Sequence, residues 1–215
     1  MGGKVKSTFL KGALARANAP FALALTLAAT VSFSGGAFAA WQDYASRADL
    51  ERLGQLPQIR QAAIAESQRG RGEGDGRVIS GVMRAAGQAV PAGALMGNWR
   101  CRQIKLGGMD SYMVYSAWFS CRIAARNGGL MLQKLNGTQR FQGALYPENG
   151  SWVYLGASSA RGEGWHTYSG NSASLGARVT PDDQIGVLTG IGPNHLRLEI
   201  PAVQESLLDV VEFRR

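Results

Sequence analysis

Two cysteines and two histidines are all the thiol and imidazole chemistry this 215-residue chain offers. They stand in no Cys-x-x-Cys or His-x-x-x-His spacing, which excludes the common zinc patterns. No Gly-x-Ser-x-Gly or Ser-x-x-Lys segment supplies a nucleophile signature. The glycine-rich stretch Gly70-Arg71-Gly72-Glu73-Gly74-Asp75-Gly76 lacks the Gly-Lys-Ser/Thr ending of a phosphate loop. Asp182-Asp183 follows Pro181 and reads as a turn, not a calcium loop. Glu205 and Asp209 lie four residues apart in a strand-like run, about 13 Å along it, too far for a working carboxylate pair. These absences point away from catalysis and toward binding, and no cofactor or metal is expected.

Long apolar runs are also missing. The longest, Phe21 to Phe33, falls short of the about 20 residues a spanning helix needs. It follows a basic stretch with Lys4, Lys6, Lys11 and Arg16, and leads to Ala37-Phe38-Ala39, a small-x-small cleavage site. Residues 1–39 therefore read as a signal peptide cut after Ala39. No twin arginine and no cysteine stand at the cut, so general secretion without a lipid anchor fits best. The expected location is the periplasm or outside the cell, with no stable membrane span after cleavage.

The whole chain carries 23 basic and 15 acidic residues, a net charge of +8. Four of the basic residues and no acid fall in residues 1–39, so the remainder carries +4. That is too little for a nucleic-acid footprint. It leaves room for an acidic small molecule or an envelope protein as partner.

Behind the signal, the chain has two textures. Residues 40–93 form a helical segment with a Gly-rich loop. Leu50, Leu53, Leu56, Ile59, Ala63 and Ile64 recur at helical spacing, predicting helices over 46–54 and 57–68, with Pro57 near the start of the second. A third helix is expected over 77–88, after a loop at 70–76. Residues 94–215 read as an antiparallel β domain packed with the helices as one unit. Strands are expected over 98–106, 113–124, 129–135, 138–146, 151–157, 184–191, 195–200 and 206–213. Asn127-Gly128, Asn136-Gly137 and Asn149-Gly150 punctuate them as hairpin turns. This explains the two Asn-Gly-Thr/Ser matches to a glycosylation sequon without a sugar. Residues 158–183, rich in Gly, Ser and Ala, form the longest irregular stretch. The fold class is α+β: a helical segment on an antiparallel, barrel-like sheet of about eight strands.

Cys101 and Cys121 sit in two of these strands, and export makes a disulfide between them the natural reading. Facing each other directly, they would set Trp99 opposite Ile123 and Gln103 opposite Phe119. Alternation then gathers Trp99, Cys101, Tyr115, Ala117, Phe119, Cys121 and Ile123 on a core face. The other face carries Arg100, Arg102, Trp118 and Arg122, with Arg100 beside Arg122 and Arg102 within cation–π reach of Trp118. Such a cluster needs a counter-charge. Glu205 and Asp209 of the last strand are the preferred partners, with Glu212 or acids of the helical segment also available. The functional alternative is an anion-binding surface.

The segment Gly97-Asn98-Trp99-Arg100-Cys101-Arg102-Gln103-Ile104-Lys105-Leu106-Gly107 resembles the opening of the bacterial family called domain of unknown function 4893. The likeness continues through Trp118 to Ile123, Lys134 to Arg140, Leu145-Tyr146-Pro147, Tyr154 to Ala157 and Glu205 to Val210, and departs around residues 158–183. It implies an exported protein and carries no activity with it. Gly97-x-Trp99 ahead of about eight strands also resembles the start of a lipocalin-type barrel, which favours a barrel over an open sandwich. The expected role is a non-enzymatic module that binds a small ligand or an envelope or protein partner. The rivals are a small periplasmic hydrolase with a composite site and a structural envelope component.

Overall fold

Alternation and Asn-Gly turns shape the β region as the sequence implies. The computed structural model describes Gly2 and residues 40–69, 73–109, 111–170, 180–201 and 204–215. The chain divides into Met1–Gly36 and Ala37–Arg215, and the expected signal peptide lies almost wholly outside the described residues. Nine strands follow in order: β1 Gly97–Leu106, β2 Tyr112–Val114, β3 Phe119–Arg126, β4 Gly129–Lys134, β5 Gln139–Glu148, β6 Ser151–Ala160, β7 Asp183–Gly192, β8 His195–Pro201 and β9 Leu208–Arg214. Each of β3 to β9 pairs antiparallel with its predecessor in the sheet, and β9 returns to pair with β1. The result is a closed eight-stranded barrel, with β2 as an extra strand on β1. Closure removes the unpaired edges that invite aggregation. Asn127-Gly128 and Asn149-Gly150 all have positive φ, the conformation a two-residue hairpin turn demands.

The helices are α1 Arg47–Gly54, α2 Leu56–Ser67, α3 Glu73–Met83 and the short α4 Ala92–Leu95. Ser46 caps α1 by accepting from the Asp49 N–H. Ala63 of α2 and Ile79, Val82 and Met83 of α3 cover Ile104, Leu106, Leu208 and Val210 on the outside of the barrel. Ala45, with Trp41, Leu50 and Leu53, covers Val153, Leu155 and Ile185. Two boundaries differ from expectation. Residues 73–76, expected in a loop, open α3, where Glu73 pairs with Arg77 one turn on. That helix ends at Met83 because the carbonyls of Val82, Met83 and Ala85 are taken by Arg197 of β8.

The disulfide joins Cys101 and Cys121, with their Cα atoms 5.9 Å apart, but not as directly opposed residues. Trp99 faces Cys121 and Cys101 faces Phe119, a shift of two from the expected register. The cause is a slip between β2 and β3. β2 pairs Ile104 with Val114, whereas β3 pairs Cys101 with Phe119, so the expected strand 113–124 is broken at residues 115–118. Tyr115 and Ala117 therefore leave the core face, and Ala117 is exposed. A shift of two preserves the alternation, so Trp99, Cys101, Cys121 and Ile123 remain together in the barrel core, with Phe119 packed against them. The same shift sets Arg100 opposite Ser120 and Arg122 opposite Asn98, so the two arginines are diagonal rather than opposed.

One end of the barrel interior is closed and apolar. Leu95 of α4 joins Trp99, Leu196 and Phe213 there, and the Trp99 indole N–H donates to the Leu95 carbonyl. In the middle, Tyr154 is wholly buried. Gly143 and Gly156, directly opposed on β5 and β6, make room for its ring, since a Cβ on either would lie 2.2–2.4 Å from Tyr154 atoms.

Candidate functional site

The inward positions of β1 read Trp99, Cys101, Gln103, Lys105, so the interior turns polar toward the end where β1 finishes. β9 mirrors this: Phe213 and Val211 are apolar, while Asp209 faces Lys105. At this end the interior opens into a cavity of about 270 Å³. Gln103, Lys105, Ser158, Gln184 and Asp209 line it, with Phe141 and Ile200 as apolar surface. Gln139, Arg140, Glu163, His166 and Asp182 surround its rim.

Gln103 as a residue is 9% exposed, and its side-chain amide has no hydrogen-bond partner among the described residues. The amide atoms are not sealed in protein, since the sealed, unpaired side-chain polar atoms among the described residues are Arg52 Nε and Arg140 Nε. The Gln103 amide opens into the cavity and is available to a ligand. Among the described residues the Gln184 side chain has only a long 3.5 Å contact, accepted from the Tyr154 hydroxyl. Among the described residues the buried Nε of Arg140 at the rim also lacks a partner. The Arg140 guanidinium is held over Trp165, 4.5 Å from the ring centre, and donates to the Glu163 carbonyl.

The charged groups are arranged in pairs. Lys105 donates to Glu205 at 2.6 Å. Burial opposes charge on Lys105, but the Glu205 bond and nearby Asp209 outweigh it and raise its pKa. The same bond lowers the pKa of Glu205. Burial raises that of Asp209, although the Ser206 hydroxyl donates to it at 2.5 Å. On the rim, His166 Nδ1 lies 3.1 Å from Asp182. Asp183 turns away and gathers the Ser169 and Gly170 N–H groups, which fastens the loop after β6 to the start of β7. Nearby Lys134 is buried inside the barrel, donates to the Gln139 carbonyl and lies over the Phe119 ring, and burial lowers its pKa to about 8.

The site residues expected from sequence separate into two places. Glu205 and Asp209 belong to this mouth, bonded to Lys105 and Ser206. Arg100, Arg102, Trp118 and Arg122 lie on the outside. Arg102 does stack on Trp118, 4.7 Å from the ring centre, and Arg100 lies 5.5 Å from the same ring. The counter-charge is Glu212, not Glu205 or Asp209. Its wholly buried carboxylate accepts from Arg102 at 2.7 Å and Arg214 at 2.9 Å, and meets His195 at 2.8 Å. The physical reason is alternation: 209 points inward, whereas 212 shares the outer face with Arg102, its direct neighbour on β1. Burial disfavours charge on Glu212, but its two arginine bonds win and lower its pKa.

Gln103, Lys105, Ser158 and Gln184 are functional candidates that motif reading misses. The signal available was polar side chains at inward positions of otherwise apolar strands. Among the described residues no three His, Cys, Asp or Glu side chains converge to hold a metal.

Fold and cavity together define the class: a closed antiparallel barrel with a polar, open mouth and an outer cover of helices. The chain belongs to the family described as domain of unknown function DUF4893, whose model matches residues 41–213. No curated protein matches the chain. Among solved structures, a redesigned beta barrel is similar at 12% identity, covering 60% of this chain and 98% of its own, with a TM-score of 0.37.

Proposed function

We propose that this protein is a non-enzymatic binding module that holds a small, uncharged, hydroxyl-rich molecule in the mouth of the barrel. The observation that supports this best is Gln103, whose unpaired amide opens into the cavity among Lys105, Ser158 and Gln184. Amides and hydroxyls of Gln103, Gln139, Gln184 and Ser158 both donate and accept, which suits ligand hydroxyls. Phe141 and Ile200 offer apolar surface to carbon-bound hydrogens. A pocket that is partly apolar with a few convergent polar groups is the usual form of a small-molecule site. The volume suits a ligand of one or two sugar rings rather than a lipid. An acidic ligand fits poorly, because Asp209, Glu205, Glu163 and Asp182 surround the opening.

Ligand-observed NMR with a panel of mono- and disaccharides tests the reading. At least one sugar should bind, and Gln103→Leu should abolish that binding while the melting temperature holds. No bound sugar, or binding unaffected by Gln103→Leu, would overturn it.

A further inference from the structure

The opposite end of the barrel carries a second, unlike surface. Arg100 and Arg214 occupy directly opposed positions on β1 and β9, and Arg215 follows at once. Like charges so placed destabilise a sheet unless something neutralises them. Glu212 is already shared between Arg102, Arg214 and His195. Burial and Arg214 lower the His195 pKa, which disfavours a further positive charge beside Glu212. Arg100 and Arg122 are both exposed and pair with no carboxylate among the described residues.

These guanidinium groups are held in place. Arg215 donates to the carbonyls of Ala94, Leu95 and Met96 and lies 3.9 Å from the centre of the Trp99 ring. Arg100 rests near Trp118, and Arg214 on Glu212. Arg100, Arg214, Arg215, Asn98, Ser120 and Leu135 line one shallow depression of about 470 Å³. Leu135 in that lining is 42% exposed, and Met96, whose carbonyl Arg215 binds, is an exposed apolar residue at 43%.

We infer that this end of the barrel docks on an anionic lipid surface, with phosphate headgroups seated among Arg100, Arg214 and Arg215. Arg122, diagonal to Arg100, adds to the same field. The flanking apolar side chains favour a lipid over a free anion. Guanidinium and exposed hydrocarbon side by side match the boundary where phosphate and acyl chain meet. Lys105 lies five residues along β1 from Arg100, about 17 Å away and on the other face of the strand. Docking would therefore leave the ligand mouth open.

Vesicle co-sedimentation tests this with the purified protein. Phosphatidylglycerol–phosphatidylcholine vesicles should retain it more than phosphatidylcholine alone, and the excess should fall with salt. Arg100→Gln with Arg122→Gln breaks no ion pair, so the fold stays intact, and the excess affinity should drop about fivefold per arginine. Met96→Ser with Leu135→Ser should weaken it independently. Millimolar inorganic phosphate should not displace the protein. Equal retention on both vesicle types, an arginine variant that binds like the parent, or displacement by inorganic phosphate would each overturn the inference.

Discussion

Lys105 and Asp209 stand directly opposite each other on β1 and β9, both facing the inside of the barrel. Neither satisfies the other: Lys105 is bonded to Glu205 and Asp209 to Ser206. A carboxylate kept here against burial costs stability, which is common where a group serves binding.

Asp209→Asn should therefore stabilise the protein at pH 7. Burial raises the Asp209 pKa, so its ionised form is disfavoured by folding. The stability it contributes is complete below its unfolded pKa and is lost as pH rises through the folded value. Asparagine escapes that loss and can still accept from Ser206. The expected gain at pH 7 is about 1 kcal/mol, roughly 2–4 °C in melting temperature for a domain of this size. The gain should vanish near pH 3, and thermal melts at both pH values check it.

Glu212 and Glu205 should behave oppositely. Glu212→Ala strands Arg102 and Arg214 around a buried gap and should cost about 3–5 kcal/mol in urea denaturation. Glu205 is exposed, so Glu205→Gln should leave the denaturation midpoint nearly unchanged. A larger loss at Glu205 would contradict the assignment of the outer counter-charge to Glu212.

Lys134 should give stability a distinct alkaline dependence. Its pKa near 8 lies below the ordinary lysine value of 10.5 because burial disfavours the ammonium. Between those values the unfolded chain binds the extra proton, so stability rises with pH across pH 8 to 10.5. Subtracting the pH profile of Lys134→Met from that of the parent should reveal this rise, and a flat difference would refute it.

The disulfide should contribute on the order of 3 kcal/mol, by limiting the unfolded chain between Cys101 and Cys121. Denaturation of a Cys101→Ala, Cys121→Ala double variant measures it. Mass mapping of the purified protein should find the two cysteines linked.

Much of the barrel was legible because its signals are local. Asn127-Gly128 and Asn149-Gly150 name their turns, and apolar alternation in 98–106 and 151–157 names its strands. Closure of β9 on β1 was implied only by the number of strands and by the likeness of Gly97-x-Trp99 to a lipocalin-type opening. The register of β1 on β3 was misread by two because a disulfide tolerates diagonal as well as direct pairing, and the slip at 115–118 leaves no compositional mark. Residues 73–76 looked like a loop because glycine is locally permissive, yet burial of Ile79 and Val82 commits the segment to a helix. The site was harder still. Gln103, Ser158 and Gln184 come from three strands and meet only once the barrel closes, so no spacing along the chain records them. Glu212 was named among the possible partners but ranked behind Glu205 and Asp209, because the phase of β9 against β1 could not be fixed without their register.

The most direct test of a ligand mouth is the side-chain amide region of a ¹⁵N NMR spectrum, with signals assigned by Gln→Leu substitution. Titration with a sugar found in the binding panel should shift the NH₂ resonances of Gln103 and Gln184 together and saturably, while those of Gln58 and Gln61 on α2 stay still. Saturable binding that leaves the Gln103 and Gln184 amides unmoved would place the ligand elsewhere and contradict the assignment of the barrel mouth.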